Sequence, residues 1–201
     1  MTRLGILLSG RGSNFLAIAE AIRSGQLAGA EIAVVLSNRA AAPGLEAARE
    51  LGIPSFAIGV GGRTPEQRDE EFVARLQEHK VDLVCLAGYM RLISPGFVAA
   101  YRDRILNVHP SLLPAFPGLD AQGQAIEYGV QVAGCTVHFV DEHLDHGTIV
   151  LQRVVPVEDA DTADTLSARI LVEEHKAYPE AIALVISGEY QAVGRRYLRT
   201  A

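Results

Sequence analysis

Leu4-Gly5-Ile6-Leu7-Leu8-Ser9-Gly10-Arg11-Gly12-Ser13-Asn14 is an apolar run of strand length that breaks into a glycine-rich turn and then enters a helix-forming stretch. Its reading decides the fold. An apolar run without alternation is how a strand buried on both faces reads, and such strands belong to parallel sheets covered by helices. Moving outward, a helix is expected from about Asn14 to Ser24 and a second strand over Glu31–Ser37. A helix near Gly44–Leu51, closed by Gly52, then precedes a third apolar run over Ile53–Ile58. Thr64 is placed to cap, and Pro65 to open, a charged helix running to about His79, and Asp82–Gly88 reads as the fourth strand. This alternation predicts an α/β protein with a doubly wound, mostly parallel sheet. Right-handed crossovers put helices on both faces and ligands at the carboxyl ends of the strands.

The second half departs from that rhythm. Ile105–His109 reads as a short strand, after which Pro110, Pro114 and Pro117 force an extended loop. Cys135–Val140 and Thr148–Val157 both read as strands, and the DEHLDHG turn between them predicts a hairpin, an antiparallel edge in the C-terminal half. A long helix is expected from about Thr162 toward Ile186, kinked or split at Pro179. Neither a repeat nor a linker interrupts the chain, so 1–201 is expected to form a single domain: 1–100 as a phosphate-binding βαβ half and 101–201 as a catalytic half.

Composition narrows the functions. In 201 residues, 49% hydrophobic and 21% charged, there is enough apolar material for a core, which excludes a disordered chain. The net charge of -6 denies the broad basic footprint of a nucleic-acid binder. Only Lys80 and Lys176 are lysines among 18 basic residues, so an anion must be met by arginine or by backbone amides. Aromatic residues make up 6% with no Trp, a poor basis for stacking platforms. Cys85 and Cys135 each lie in an apolar run and read as reduced core thiols. The N-terminal apolar run is too short for a signal peptide, and no stretch reaches the roughly 18 apolar residues of a membrane span. A cytoplasmic protein with no membrane or nucleic-acid partner is expected.

Three segments carry candidate chemistry. In Ser9–Asn14 the glycines allow a sharp turn, and free amides at the helix N-terminus attract an anion; Ser13 or Asn14 can cap the helix or donate to a phosphate oxygen. The dinucleotide pattern needs a third glycine where Phe15 stands, and the Walker pattern needs a lysine that is absent, so a phosphate monoester fits best. In Asn107-Val108-His109, the amide and the imidazole project from one face of a strand, an arrangement suited to clamping an oxyanion beside an acid/base group. His138–Gly147 gathers three carboxylates and three histidines. His143 and His146 suggest a metal, but no cysteine accompanies them and a charged turn has the same composition, so none is expected. A carboxylate from this segment can instead orient His109 and raise its pKa; spacing does not choose among Asp141, Glu142 and Asp145.

Taken together, these segments resemble the phosphoribosylglycinamide formyltransferases, folate-dependent enzymes of purine synthesis. The likeness runs in order through SGRGSN (9–14), LSNR (36–39), LAGYMRLISP (86–95), LNVHPSLLPAFPGL (106–119), HFVDEHLDHGTIVLQ (138–152) and EEHKAYP (173–179). It implies a Rossmann-like formyltransferase fold and transfer of a formyl group from 10-formyltetrahydrofolate, the co-substrate, to the amine of glycinamide ribonucleotide, without a metal. It assigns catalysis to Asn107, His109 and Asp145, and the substrate phosphate to Gly12, Ser13 and Asn14. Gly118 and Glu174 are assigned to the rest of the substrate. The folate falls to Met90, Arg91, Leu92 and Ile93, with Asn107, Val140 and Asp141. A homodimer is compatible with the resemblance. Neither the C-terminal RNA-contacting domain of a methionyl-tRNA formyltransferase nor the N-terminal regulatory domain of a formyltetrahydrofolate deformylase is expected. Two departures stand out: the arginine expected near the folate tail has two candidates, Arg63 and Arg68, and Asp120 and Gln122 stand where some members have histidines.

Overall fold

The computed structural model describes residues 1–59 and 61–200. They form two compact units, Met1–Leu106 and Asn107–Ala201. In the first, β1 (Thr2–Leu8) pairs in parallel with β2 (Ala30–Ser37) on one side and β4 (Leu83–Leu86) on the other. The short β3 (Ser55–Ala57) lies outside β2, giving the order β3-β2-β1-β4. Leu4 and Ile6–Leu8 are all fully buried, the condition under which an unalternating apolar run is stable in a sheet.

Helix α1 (Ser13–Arg23) joins β1 to β2, α2 (Pro43–Glu50) leads on to β3, and α3 (Pro65–Glu78) returns across β1 to β4. Right-handed crossovers put α1 and α2 on one face and α3 on the other. In agreement, α1 touches α2, and α3 touches α4 (Pro95–Ala100). The sheet is therefore doubly wound, and its switch point falls between the carboxyl ends of β1 and β4. Thr64 caps α3 in a reciprocal capping box with Gln67, and Pro65 opens it. The six-residue α4 was not foreseen, although Ser94 accepts from the Phe97 amide and Pro95 follows it, a cap and a start in miniature.

Strand β5 (Ile105–His109) runs through the division between the units. In the second unit, β6 (Val132–Phe139) and β7 (Ile149–Pro156) form the expected antiparallel pair, with a register shift between Val137 and His138. Helix α6 (Ala163–Ile186) packs on both strands and on α5 (Ala121–Tyr128). Of the two outcomes expected at Pro179, the split does not occur: the 24-residue helix continues through it with Pro179 buried. Packing of its buried stripe outweighs the one ladder bond a proline removes. Helix α5 and the closing hairpin, β8 (Tyr190–Val193) and β9 (Arg196–Arg199), also escaped the sequence reading. β9 lies beside β7, pairing at Ile149 and Arg196.

Candidate active site

The glycine turn sits at the end of β1 in the first unit. Gly12 occupies the N-cap of α1 with φ of 75°, a left-handed conformation that disfavours any side chain. A Cβ there would also press on the Cα of Gly44, so turn and helix α2 meet backbone to backbone. The expectation that Ser13 or Asn14 caps the helix is corrected: no side chain caps it, and both residues lie inside the first turn. The amides at this helix start have no competing side-chain cap, an arrangement open to an anion. The Ser9 hydroxyl donates to Asn38 Oδ1 (2.6 Å) and accepts from the Met90 amide (2.8 Å). The Ser9 amide donates to the Gly88 carbonyl (3.0 Å). These bonds tie the glycine turn to the segment after β4, across the switch point.

That segment carries Met90–Ile93. Met90 and Leu92 are 61% and 75% exposed, an apolar surface that the interior of the unit does not use. Its far end is fixed from below by the Asp69 carboxylate, which accepts from the Ser94 amide (2.6 Å) and pairs with Arg68 Nη2 (2.8 Å). The structure thus separates the two arginines. Arg68 is buried and committed to Asp69, whereas Arg63 is half-exposed beside Glu71 (3.1 Å). Tyr89, packed edge-on against Phe72 of α3, has its phenol pushed up to about 12 by burial.

In the second unit the sequence pair Asn107 and His109 ends a strand, as expected. Of the three carboxylates in the 138–147 segment, Asp145 is the one at His109: Oδ2 lies 3.5 Å from Nδ1 and accepts from the Gly118 amide at 2.8 Å. Asp141 turns instead to its own loop, accepting from His146 Nδ1 (3.0 Å) and the His143 amide (2.8 Å). Burial raises its pKa, but those two donors outweigh it and hold the carboxyl low. Glu142 is exposed. His109 Nε2 lies 2.9 Å from the Phe116 carbonyl, which can only accept, so this nitrogen carries a hydrogen. The ring thus has an acceptor facing each of its nitrogens. Phe116, Gly118 and Asp145 all have positive φ, at 53°, 82° and 48°, so the groups around His109 come from strained turns.

The sequence reading had no role for His138. Its Nδ1 donates to the Phe139 carbonyl (2.8 Å), which leaves Nε2 as an acceptor for Asn107 Nδ2 (3.3 Å). Burial, the largest influence, holds this imidazole below its usual pKa and so neutral. His138 therefore fixes which end of the Asn107 side chain carries the donors, leaving a second Nδ2 hydrogen to offer. Thr136 and Gln152 were missed too. Thr136 Oγ1 donates to the Ser111 carbonyl (2.7 Å) and accepts from the Leu113 amide (3.0 Å), and Gln152 Nε2 donates to the Leu113 carbonyl (3.0 Å). They hold the proline loop to the β6–β7 pair. The only available signal was the polar half of the strand alternation.

Glu174 is buried on α6, and its charge adds to burial in pushing the Cys135 thiol up to about 12. Asp120 caps α5 by accepting from the Gly123 amide (3.2 Å), and Gln122 donates to Ser167 Oγ (3.4 Å), so both have local structural uses. Val140 is half-buried where the 140–147 loop leaves β6. Asp141, His143 and His146 bring donor atoms within 4.8 Å of one another, and the Arg195 guanidinium already lies 2.8 Å from His146 Nε2.

Fold and site define a class: an α/β protein with a glycine turn at a helix N-terminus and a histidine flanked by a carboxylate and an amide, groups suited to charge-stabilised group transfer. The formyl transferase family model matches residues 2–182. Over 184 residues the chain is 42% identical to the phosphoribosylglycinamide formyltransferase of Escherichia coli (strain K12), covering 91% of this chain and 86% of that protein. It is 47% identical over 193 residues to the trifunctional purine biosynthetic protein adenosine-3 of Drosophila pseudoobscura pseudoobscura. That match covers 95% of this chain but 14% of that protein, so the chain spans about a seventh of such relatives. The solved structure of glycinamide ribonucleotide transformylase 1 from Symbiobacterium toebii matches with a TM-score of 0.97 at 50% identity, covering 100% of this chain and 95% of that one. The chain belongs to the formyl transferase family.

Proposed function

We propose that this protein transfers the formyl group of 10-formyltetrahydrofolate to the amine of 5-phosphoribosylglycinamide, in the cytoplasm, as a step of purine biosynthesis. The two units are read as the halves of one formyltransferase domain, an assignment supported by a family match that runs through both. The observation that carries the reading is the His109 ring held between Asp145 and the Phe116 carbonyl, with the His138-oriented Asn107 amide on the same strand.

The amine nitrogen attacks the formyl carbon, and the carbonyl oxygen becomes an oxyanion. Asn107 Nδ2 and His109 Nε2 donate to it, the oxyanion displacing the Phe116 carbonyl as the acceptor of Nε2. One such donor is worth about 10²–10³ in rate. Asp145 supplies the countercharge that holds the cationic ring in place. Collapse of the intermediate breaks the bond from carbon to the folate nitrogen, and the proton lost by the amine passes to that nitrogen, directly or through His109. Bonds and charges balance without a covalent enzyme intermediate or a metal. Gly12, Ser13 and Asn14 hold the phosphate through the first-turn amides of α1. Gly118 and Glu174 serve the glycinamide portion. Met90, Arg91, Leu92 and Ile93, with Asn107, Val140 and Asp141, hold the folate, the exposed Met90 and Leu92 offering it an apolar surface. Arg63 is the better placed of the two arginines for a carboxylate tail, because its ion pair with Glu71 is half-exposed whereas Arg68 is buried against Asp69.

The test is a spectrophotometric assay with the formyl folate, with and without glycinamide ribonucleotide. Tetrahydrofolate formed only with the ribonucleotide supports the transferase. Formate released without it overturns the reading in favour of a hydrolase.

A further inference from the structure

The loop between β6 and β7 carries Asp145 but has little regular structure to hold it. Its neck closes with the Phe139 amide donating to the Thr148 carbonyl (2.9 Å). Inside it, Asp145 keeps a left-handed backbone at a non-glycine residue, a conformation that persists only where neighbours over-determine it. Besides the Gly118 amide and His109, the loop has the C-terminal hairpin as a neighbour, which lies beyond the residues that match the family model.

We infer that the β8–β9 hairpin is a strap that keeps the Asp145 loop in its working conformation, with Arg195 as the positioning residue. Arg195 sits in the turn of the hairpin. Its Nη2 donates to the carbonyl of His146, the residue immediately after Asp145, at 2.7 Å. Its Nη1 lies 2.8 Å from His146 Nε2. Because the other ring nitrogen donates to Asp141, Nε2 is the acceptor, and a directed chain runs from Arg195 through His146 to Asp141. Arg195 thus grips both the backbone and the side chain of one residue, a use that needs the planar fork of a guanidinium. The strap is itself anchored at the loop's neck. Tyr197 packs edge-on against Phe139 with centroids 5.6 Å apart and stacks on Tyr190 at 5.6 Å. Arg196 pairs with Ile149 on the far side of the neck. Contacts at both ends of the loop and at its centre make the hairpin its frame. The importance of Asp145 rests on the function proposed above; the framing of the loop does not.

Arg195→Ala tests it with two readouts on the full chain. Hydrogen exchange at the His146 and Gly147 amides is expected to quicken about tenfold, because local opening loses its closing contacts. In the transfer assay kcat is expected to fall about tenfold, since small misplacements of a catalytic group cost that much or more, while KM for the ribonucleotide holds. Arg195→Lys keeps one donor and restores part of both. Arg199→Ala, which removes an equal charge paired to Glu189 just before β8, changes neither. Unchanged exchange in Arg195→Ala overturns the strap. Faster exchange with unchanged kcat overturns the positioning role. If the wild-type protein transfers no formyl group, the proposed function has failed, and the exchange measurement alone decides the strap.

Discussion

The parallel layers of the first unit and the loops of the second make opposite use of the backbone. In the first, β1 and β2 run in register with one irregularity, and their side chains are buried on both faces. The non-glycine residues of positive φ described there, Lys80 and Asp103, lie in turns away from the switch point. In the second, positive φ appears at Phe116, Asp120 and Asp145, and two of these three supply a partner to His109. Regular pairing satisfies backbone groups cheaply and gives stability. Strained turns aim particular carbonyls, amides and carboxylates at one side chain, and their cost is met by the scaffold. Stability and chemistry should therefore separate by region.

The sharpest separation is expected at His109. His109→Ala should lower kcat by about 10²–10³ while the melting temperature moves little, because the lost contacts are those of a preorganised donor. An equal loss of stability in a melting scan would break the comparison. Leu36→Ala, at a fully buried position of β2, is the converse: about 2–5 kcal/mol lost in denaturant unfolding, with kcat of the folded fraction unchanged. Gly147→Ala probes the neck of the Asp145 loop. A Cβ there would overlap the Phe139 carbonyl oxygen, a backbone atom that cannot swing aside, so the loop must shift. About a tenfold fall in kcat, on the order of what a small displacement of a catalytic group costs, should accompany a modest fall in melting temperature.

The smallest expected effect is on pH. Burial holds the imidazoles of His138 and His175 below their usual value of 6.5, so as pH falls through that value the unfolded chain binds protons the folded chain refuses. Stability is complete above about 6.5 and is lost on acidification. Melting scans from pH 7.5 to 5.5 should show a falling midpoint, and His175→Gln, whose parent Nε2 has no hydrogen-bond partner among the described residues, should flatten part of it. A midpoint independent of pH over that range would refute the assignment of both rings as neutral.

The same contrast explains how far the sequence could be read. Apolar runs buried on both faces, glycine turns and the Thr64–Pro65 helix start are local signals, and the first unit follows them closely. The elements missed, α4, α5, β8 and β9, are each at most eight residues long, too short for a helical or strand period to register. The split at Pro179 failed for the opposite reason: a strong local signal was overruled by packing along α6.

By itself the sequence determined the α/β alternation, the doubly wound sheet with its antiparallel edge, and the pairing of Asn107 with His109, because each depends on spacing along one element. Spacing left Asp141, Glu142 and Asp145 open, with only the family resemblance naming Asp145; the tertiary structure sets Asp145 at His109, brings the Phe116 carbonyl to the same ring, gives His138 to Asn107, and lays Arg195 on His146. Those choices depend on where turns of positive φ and strands distant in the chain bring donors within 3–4 Å of acceptors, and the residue types that could do so are repeated too closely along the chain for spacing to decide.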